Sequence, residues 1–418
     1  MSDTAQRQAQ AEQDLAAKRL TIRLALASAL AGANASVIFA TEAILGASMA
    51  PSPDLATTPI TSYVVGLALG TLPIGWIARR LGRKPALLVG SVSGIVSGLL
   101  ACIATLQWSF VLLCVSAAFG GMYAAAAQSY RFAATDGASP ALQPKLISWV
   151  MTGGVLAGVI GPQLVQFTMD LWPQHLFAAT YVGQAIFAAL AMLVLTGVEP
   201  PPAALKAADA STGRPLGEIV RQPQFIVAAI CGTVSYGLMN LVMTAAPLAM
   251  KMCGLSLGQS NLGIQWHILA MYAPSFFTGA LVARFGASRV VVFGLALEVA
   301  AALVDLSGVT VGHFWAGLVL LGLGWNFSFI GASAMVVATH RLNERTKVQS
   351  FNDFIVFGTM AVGSFMSGKM LADGGWSLVN MIVFPPAAIG VVALAWLALR
   401  RQKASASRES GDFGSKMD

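Results

Sequence analysis

Five ionisable side chains stand inside long apolar runs of this sequence, and each needs a chemical reason to be there. Glu42, Glu298, Asp305 and Asp353 are the acids, and His267 is the one histidine set well inside such a run. If the runs cross a bilayer, an ionisable group near its centre costs about 3 kcal/mol on insertion scales. A carboxylate in that setting can take up and release protons, and an imidazole titrates near neutral pH. Each group also has a bland reading. Glu42 is either a proton carrier or an interfacial carboxylate that marks the end of its run. His267 is either a relay or a neutral ring hydrogen-bonded between helices. Glu298 has no evident role near the middle of its run, and Asp305 is read as interfacial.

The uncharged polar residues are more orderly. Tyr236, Asn240 and Thr244 step by four, which places them on one helical face. Asn34 and Thr41 do the same earlier in the chain. Tyr123 and Tyr130 lie seven apart, with Gln128 and Arg131 beside them, and Trp325, Asn326 and Ser328 form a further cluster. Aromatic walls with few polar anchors are the usual make-up of a small-molecule site. The substrate-binding candidates are therefore Asn34, Tyr123, Tyr236, Asn240, Trp325 and Asn326. The alternative is that these amides and hydroxyls bond one helix to the next.

The elements that must position these residues follow from composition. The chain of 418 residues is 56% hydrophobic and 10% charged, where a soluble protein carries about 25% charged residues. With about twenty apolar residues to a crossing, twelve spans emerge: 22–46, 58–79, 85–106, 108–131, 147–169, 175–197, 223–250, 261–283, 290–310, 313–338, 348–371 and 376–399. All but Lys251 and Lys369 of the 25 Lys and Arg then fall on one side. Positive charge is retained in the cytoplasm, so both termini are expected there, and the net charge of +7 needs no nucleic-acid partner. The expected organisation is a cytoplasmic tail (1–21), a six-helix bundle (22–198), a Pro- and Ala-rich cytoplasmic linker (199–222), a second six-helix bundle (223–400) and a second tail (401–418). The polar N-terminus lacks the apolar core and cleavage site of a signal peptide. Cys102, Cys114, Cys231 and Cys253 show neither metal-ligand spacing nor a disulfide framework. Walker and Rossmann glycine patterns are absent, and no metal or cofactor is expected.

The two bundles echo each other. "GWIARRLGRKPALLVG", from Gly75 to Gly90, shares its punctuation with "GALVARFGASRVVVFG", from Gly279 to Gly294. Gly75, Arg80, Gly82 and Gly90 recur 204 positions later at Gly279, Arg284, Gly286 and Gly294. A duplicated six-helix unit is the layout of transporters whose halves rock around a central site. The segment "GWIARRLGRK" resembles the loop between helices 2 and 3 of the major facilitator superfamily, and "GALVARFGAS" resembles its copy between helices 8 and 9. The resemblance covers about 20–400. It implies that spans 1, 4, 7 and 10 line a cavity, and that Glu42 is placed to carry a proton through it. It also implies a gate on the cytoplasmic side built from Gly75, Arg79, Arg80, Gly82, Arg83, Arg284, Gly286 and a partner on span 11. The family has an acid where this chain has Arg79. Asp353 on span 11 suggests a charge-swapped pair with Arg79; the alternative is that Arg79 reaches into the headgroups. Gly161 and Pro162 resemble the Gly-Pro signature of the family's antiporters, although Ala157 departs from it, and Gly154 and Gly158 equally suit close helix packing.

The sequence thus predicts an all-α integral membrane protein of twelve transmembrane helices in two pseudo-symmetric bundles. It is expected to be a multi-pass plasma (inner) membrane transporter, monomeric and not an enzyme. Alternating access would move a small organic or amphipathic solute, coupled to protons through Glu42 and His267. The alternatives are an uncoupled facilitator of the same fold and a membrane sensor that binds without moving cargo. A membrane lipid transferase would need an interfacial cluster of acids or histidines, which is absent.

Overall fold

A helix satisfies all its own backbone hydrogen bonds, so apolar runs that enter lipid fold as helices. In a computed structural model describing residues 3–134, 138–139, 142–198, 213–341 and 344–414, every regular element is helical. The first group comprises α1 (Asp3–Met49), a 3-10 turn (Pro53–Leu55), α2 (Thr58–Arg80), α3 (Arg83–Gln107), α4 (Phe110–Gln128), α5 (Tyr130–Ala133), α6 (Gln143–Thr168) and α7 (Ala178–Thr196). The second comprises α8 (Leu216–Val220), α9 (Pro223–Met252), α10 (Leu257–Tyr272), α11 (Ser275–Phe285), α12 (Ala287–Ser307), α13 (Val311–Val337), α14 (Arg345–Met381) and α15 (Phe384–Gly414).

Ten of these stretches are long and apolar enough to cross a bilayer, and the bent pair α10–α11 makes eleven. That pair turns by 42° at Pro274, which has no N–H to give and whose ring clashes with the preceding turn. The last stretch, 347–402, has 56 residues. At 1.5 Å per residue it would be about 84 Å long, against a hydrocarbon core of about 30 Å. It breaks at Gly375, where φ is 66° and ψ is −166°. The twelve expected spans are reached by dividing the stretch there. By the alternation of crossings, the turns at Gly82 and Gly286 share one side, the near side below; the side of Pro53–Leu55 is the far side.

The repeat seen in the sequence is repeated in the backbone. Gly82 precedes α3 with φ 97°, and Gly286 precedes α12 with φ 87°, a region that L-residues disfavour. The helices that follow also approach their neighbours alike. A Cβ on Gly90 would lie 2.1 Å from Ala126 of α4, and one on Gly294 would lie 2.3 Å from Ser328 of α13.

Within the first group α1 packs on α6 and α7, α2 on α4, and α3 on α4 and α7. In the second, α9 packs on α13 and α14, and α12 on α13. The groups meet chiefly through α2 with α14, α6 with α10, and α1 with α9. The buried core reflects this division. On the near side each group has its own apolar cluster, one around Leu24, Tyr130 and Leu195, the other around Phe225, Val291 and Leu397. Toward the middle and far side a single cluster runs through both, from Ile38, Ile60 and Val64 to Val242, Ile264 and Val356. The outer surface carries bare apolar side chains, Leu72, Val111 and Phe167 among them; an exposed apolar surface of this extent is one that meets lipid.

Arg214, ahead of α8, is locked to the second group. Its Nε and Nη2 reach Glu344 Oε1 and Oε2 at 3.0 and 2.8 Å, and its backbone N–H donates to Oε1 at 2.8 Å. The Arg341 N–H adds a bond of 2.9 Å to Oε2. These hydrogen bonds, the Arg214 side chain foremost, hold the Glu344 carboxyl well below the usual carboxylate range.

Candidate functional site

Between the two groups the side chains leave a cavity of about 160 Å³. Small residues on α1 open its wall: Ser28, Ala31, Gly32, Ala35 and Ser36, ending at Phe39. The eleven-residue step from Ser28 to Phe39 makes it roughly 16 Å long at 1.5 Å per residue. The other walls come from Tyr63 and Leu67 of α2, Met151, Gly154 and Ala157 of α6, and Tyr236, Met239 and Met243 of α9. Ile268, Met271 and Tyr272 of α10 and Met360 of α14 complete the ring. Aromatic faces and polarisable, flexible thioethers adapt to a flat apolar body. Tyr236 is held upright by edge contacts with Trp325, Phe329 and Phe357, at centroid distances of 5.2, 5.0 and 5.9 Å.

The near end of the cavity is polar. α4 stops at Gln128, Ser129 caps it, and the short α5 begins at Tyr130; both Gln128 and Arg131 line the cavity there. Arg131 is the one charged lining residue among those described, and it is in electrostatic reach of Tyr236, Tyr272 and Asp353. Asp353 thus has a described cation opposite it in Arg131. The Arg79 side chain, its expected partner, lies outside the described residues.

The far end is shut by hydrogen bonds between the groups. Thr57 Oγ1 donates to the Ser364 carbonyl at 3.0 Å and Thr61 Oγ1 to Ser364 Oγ at 3.4 Å. Gln163 Nε2 donates to Gln265 Oε1 at 2.8 Å, and Asn261 Nδ2 to the Pro162 carbonyl at 2.6 Å. Lys369 adds a charge in reach of Asp54. The α6–α10 seam is tight because α6 offers glycine: a Cβ on Gly154 would lie 2.9 Å from the Tyr272 ring, and one on Gly158 2.9 Å from Ile268.

Of the six substrate-binding candidates, Tyr236 lines the cavity and the other five do not. Asn34 is buried and points toward Gly120 of α4, where a Cβ would lie 3.6 Å from its Oδ1. Tyr123 turns away onto Gly94 of α3. Asn240 Nδ2 donates to the Met360 carbonyl at 3.2 Å. Trp325 stacks on Phe329 in a second layer, behind Tyr236 and Tyr272. Asn326 secures the break at Pro274: it donates to the Met271 carbonyl at 2.6 Å and to Ser275 Oγ at 2.7 Å, and accepts from Thr278 Oγ1 at 2.5 Å.

The ionisable groups are placed as follows. Glu42 is 1% exposed, in reach of Tyr63, Tyr181 and Cys114, and its Oε2 has no partner among the described residues. His267 Nδ1 meets the Leu318 carbonyl at 2.7 Å, which joins α10 to α13 within one group, away from the cavity. Glu298 accepts from Ser235 Oγ at 2.6 Å and packs against Gly324, so it has protein rather than lipid around it. Asp305 is buried against Gly317 of α13 instead of lying at a surface. In the near-side motif, Gly75 and Arg83 are half-buried, Arg80 and Arg284 are exposed, and Arg284 lies 5.2 Å over the Phe285 ring.

Sequence reasoning passed over Phe39, Tyr63, Tyr272 and the five methionines as site residues, and noted Gln128 and Arg131 only by position. The glycines at 154 and 158 were the available signal for the α6–α10 seam, since their four-residue spacing lays a bare stripe along one face.

The Major Facilitator Superfamily model matches residues 24–274 and 228–416. Over 384 residues the chain is 44% identical to the riboflavin transporter RfnT of Brucella anthropi, covering 91% of this chain and 96% of that protein. An uncharacterised MFS-type transporter of Bacillus subtilis, YddS, is 27% identical over 84% of each chain. Among solved structures, the xylose transporter XylE from E. coli superposes with a TM-score of 0.69 over 91% of this chain and 97% of its own, at 13% identity. The nucleoside transporter NupG gives 0.68 over 91% and 98%, at 14% identity. With the all-helical membrane fold and the cavity between its two groups, these relatives make the protein a membrane transporter and not an enzyme. The chain belongs to the major facilitator superfamily.

Proposed function

We propose that this transporter carries riboflavin, or a solute with the same flat heteroaromatic ring, by alternating access. The observation that carries the reading is the cavity itself. Phe39, Tyr63, Tyr236, Tyr272 and five methionines form largely apolar walls, and the amide of Gln128 and the charge of Arg131 sit at one end. That surface suits a planar ring with one hydrogen-bonding edge better than a sugar, which presents hydroxyls all round. The 44% identity to a riboflavin transporter supports the same solute class. At about 160 Å³ the cavity is roughly half the ~300 Å³ at which small-molecule sites begin. Loading therefore requires the halves to part on the near side, where their apolar clusters are already separate.

The proposal includes six-helix halves at 22–198 and 223–400, cytoplasmic termini in the plasma membrane, and proton coupling. The excess of Lys and Arg on the near side supports that orientation. Coupling rests on Glu42, buried with an unpartnered oxygen and in reach of Tyr63, which lines the cavity. Its charge would act at electrostatic range on the cavity wall. The test is riboflavin uptake into proteoliposomes that contain a pH dye. A flavin-dependent pH change that Glu42→Gln abolishes is expected. Flavin flux with no pH change would make the protein a facilitator, and binding without flux would make it a sensor.

A further inference from the structure

We infer that Gln128 and Arg131 form the specificity-determining end of the cavity, reading the imide edge of a flavin ring. The inference rests on the flavin reading above and assigns the orientation of the ring within it.

The amide and the charge of the lining lie at a different level from its largest apolar groups. Phe39, Tyr63 and Met243 lie toward the middle of the membrane, while Gln128 and Arg131 lie where α4 gives way to α5. Because they are three residues apart and Ser129 keeps near-helical dihedrals (φ −81°, ψ −12°), both side chains fall on one face and reach the same cavity end. Gln128 is exposed into that space, and none of its amide atoms is engaged by a hydrogen bond among the described residues.

A flavin presents one edge that no sugar or aliphatic solute shares: carbonyl, imide N–H, carbonyl, an acceptor–donor–acceptor row. Its complement is donor–acceptor–donor. The Gln128 amide supplies an adjacent donor and acceptor, and a guanidinium carries five N–H donors in a fixed fork. Arg131 can therefore serve a carbonyl while keeping other partners, Asp353 included. In this arrangement Gln128 Oε1 accepts from the imide N–H and Gln128 Nε2 donates to one carbonyl. Arg131 donates to the other carbonyl, and its charge stabilises electron density drawn to that end. The apolar dimethylbenzene end of the ring then lies among the methionines. A site built to hydrogen-bond an N–H rejects an analogue that lacks it, because its own polar group is left unpaired in a closed space.

The experiment compares riboflavin with N3-methylriboflavin, in which the imide proton is replaced by a methyl group. Quenching of flavin fluorescence by purified full-length protein gives both Kd values, for wild type and for Gln128→Leu and Gln128→Glu. The wild type should bind the methylated flavin at least tenfold more weakly. Gln128→Leu should weaken riboflavin binding by a similar factor and bind the two flavins equally. Gln128→Glu should retain discrimination, since it keeps an acceptor for the N–H. Equal binding of the two flavins by the wild type overturns the inference, without need of any variant, and so does persistent discrimination in Gln128→Leu. Failure of the wild type to bind either flavin would instead remove the flavin reading on which the inference stands.

Discussion

The far-side closure should yield to a small, calculable perturbation. Replacing Gln163 and Gln265 together by leucine removes both partners of the 2.8 Å bond between α6 and α10, so no buried amide is orphaned. Thr57→Val removes the 3.0 Å bond to the Ser364 carbonyl, whose own helix still engages that carbonyl. Interhelical hydrogen bonds in membranes average about 0.6 and reach about 1.7 kcal/mol. Two lost bonds thus shift the equilibrium by about 1 to 3 kcal/mol toward the state open on the far side. At 1.4 kcal/mol per decade, that is roughly a fivefold to hundredfold change in population. Met243 reports it, because it lines the cavity and is 4% exposed in the closed state. Exposed Cys253 and half-buried Cys114 are first replaced by serine, and Met243→Cys is then labelled with a membrane-impermeant maleimide from the far side. The triple variant should label faster by at least about fivefold, the lower end of that range allowing for incomplete labelling of the open state. An unchanged or slower rate would refute the claim that these bonds hold the far side shut.

The fork at Glu344 sets a pH dependence. Arg214 holds the Glu344 carboxyl below its ordinary value, near 4.3 when free; the folded contribution is therefore whole above that value and lost as pH falls through the depressed one. The hydrogen-exchange protection factor at 213–222, corrected for the intrinsic pH dependence of amide exchange, should be constant from pH 8 to 5 and fall only well below pH 4, whereas Glu344→Gln should lower it at neutral pH. Gly82→Ala and Gly286→Ala should each lower stability by about 1–3 kcal/mol, because positive φ with extended ψ is a glycine-only region; thermal unfolding in detergent checks this. Glu298→Gln should leave folding and flux intact by keeping the bond to Ser235, and Glu298→Leu should cost about 1–3 kcal/mol by stranding the hydroxyl. Equal melting of the two variants would deny Glu298 a hydrogen-bonding role.

The scaffold was far more legible than the site, for a physical reason. Span length and the side taken by Lys and Arg are dictated by the bilayer, so composition alone reveals them. Gly82 and Gly286 were legible because a backbone conformation, not a neighbour, demands glycine there. The cavity lining answers to no such rule. In water an apolar stripe marks the core, but in lipid both faces of a helix are apolar, and nothing in their hydropathy separates Met243 at the cavity from Leu72 in the bilayer. Polar residues mislead for the complementary reason. Asn326 reads as a ligand anchor until the break at Pro274 exposes the Met271 carbonyl that it satisfies. Asn240 likewise serves the Met360 carbonyl. Glu298 looked stranded on a peripheral helix because its partner, Ser235, is 63 residues away in the chain.

Counterflow tests the central claim most directly. Proteoliposomes loaded with unlabelled riboflavin are diluted into a trace of labelled riboflavin, so that exchange through the carrier is read without any imposed gradient. The wild type should accumulate label transiently above equilibrium. Met271→Trp, which fills the cavity from the α10 wall, should abolish accumulation while its unfolding temperature stays unchanged. No accumulation by the folded wild type, or full accumulation by the filled variant, would contradict transport of a flavin through this cavity.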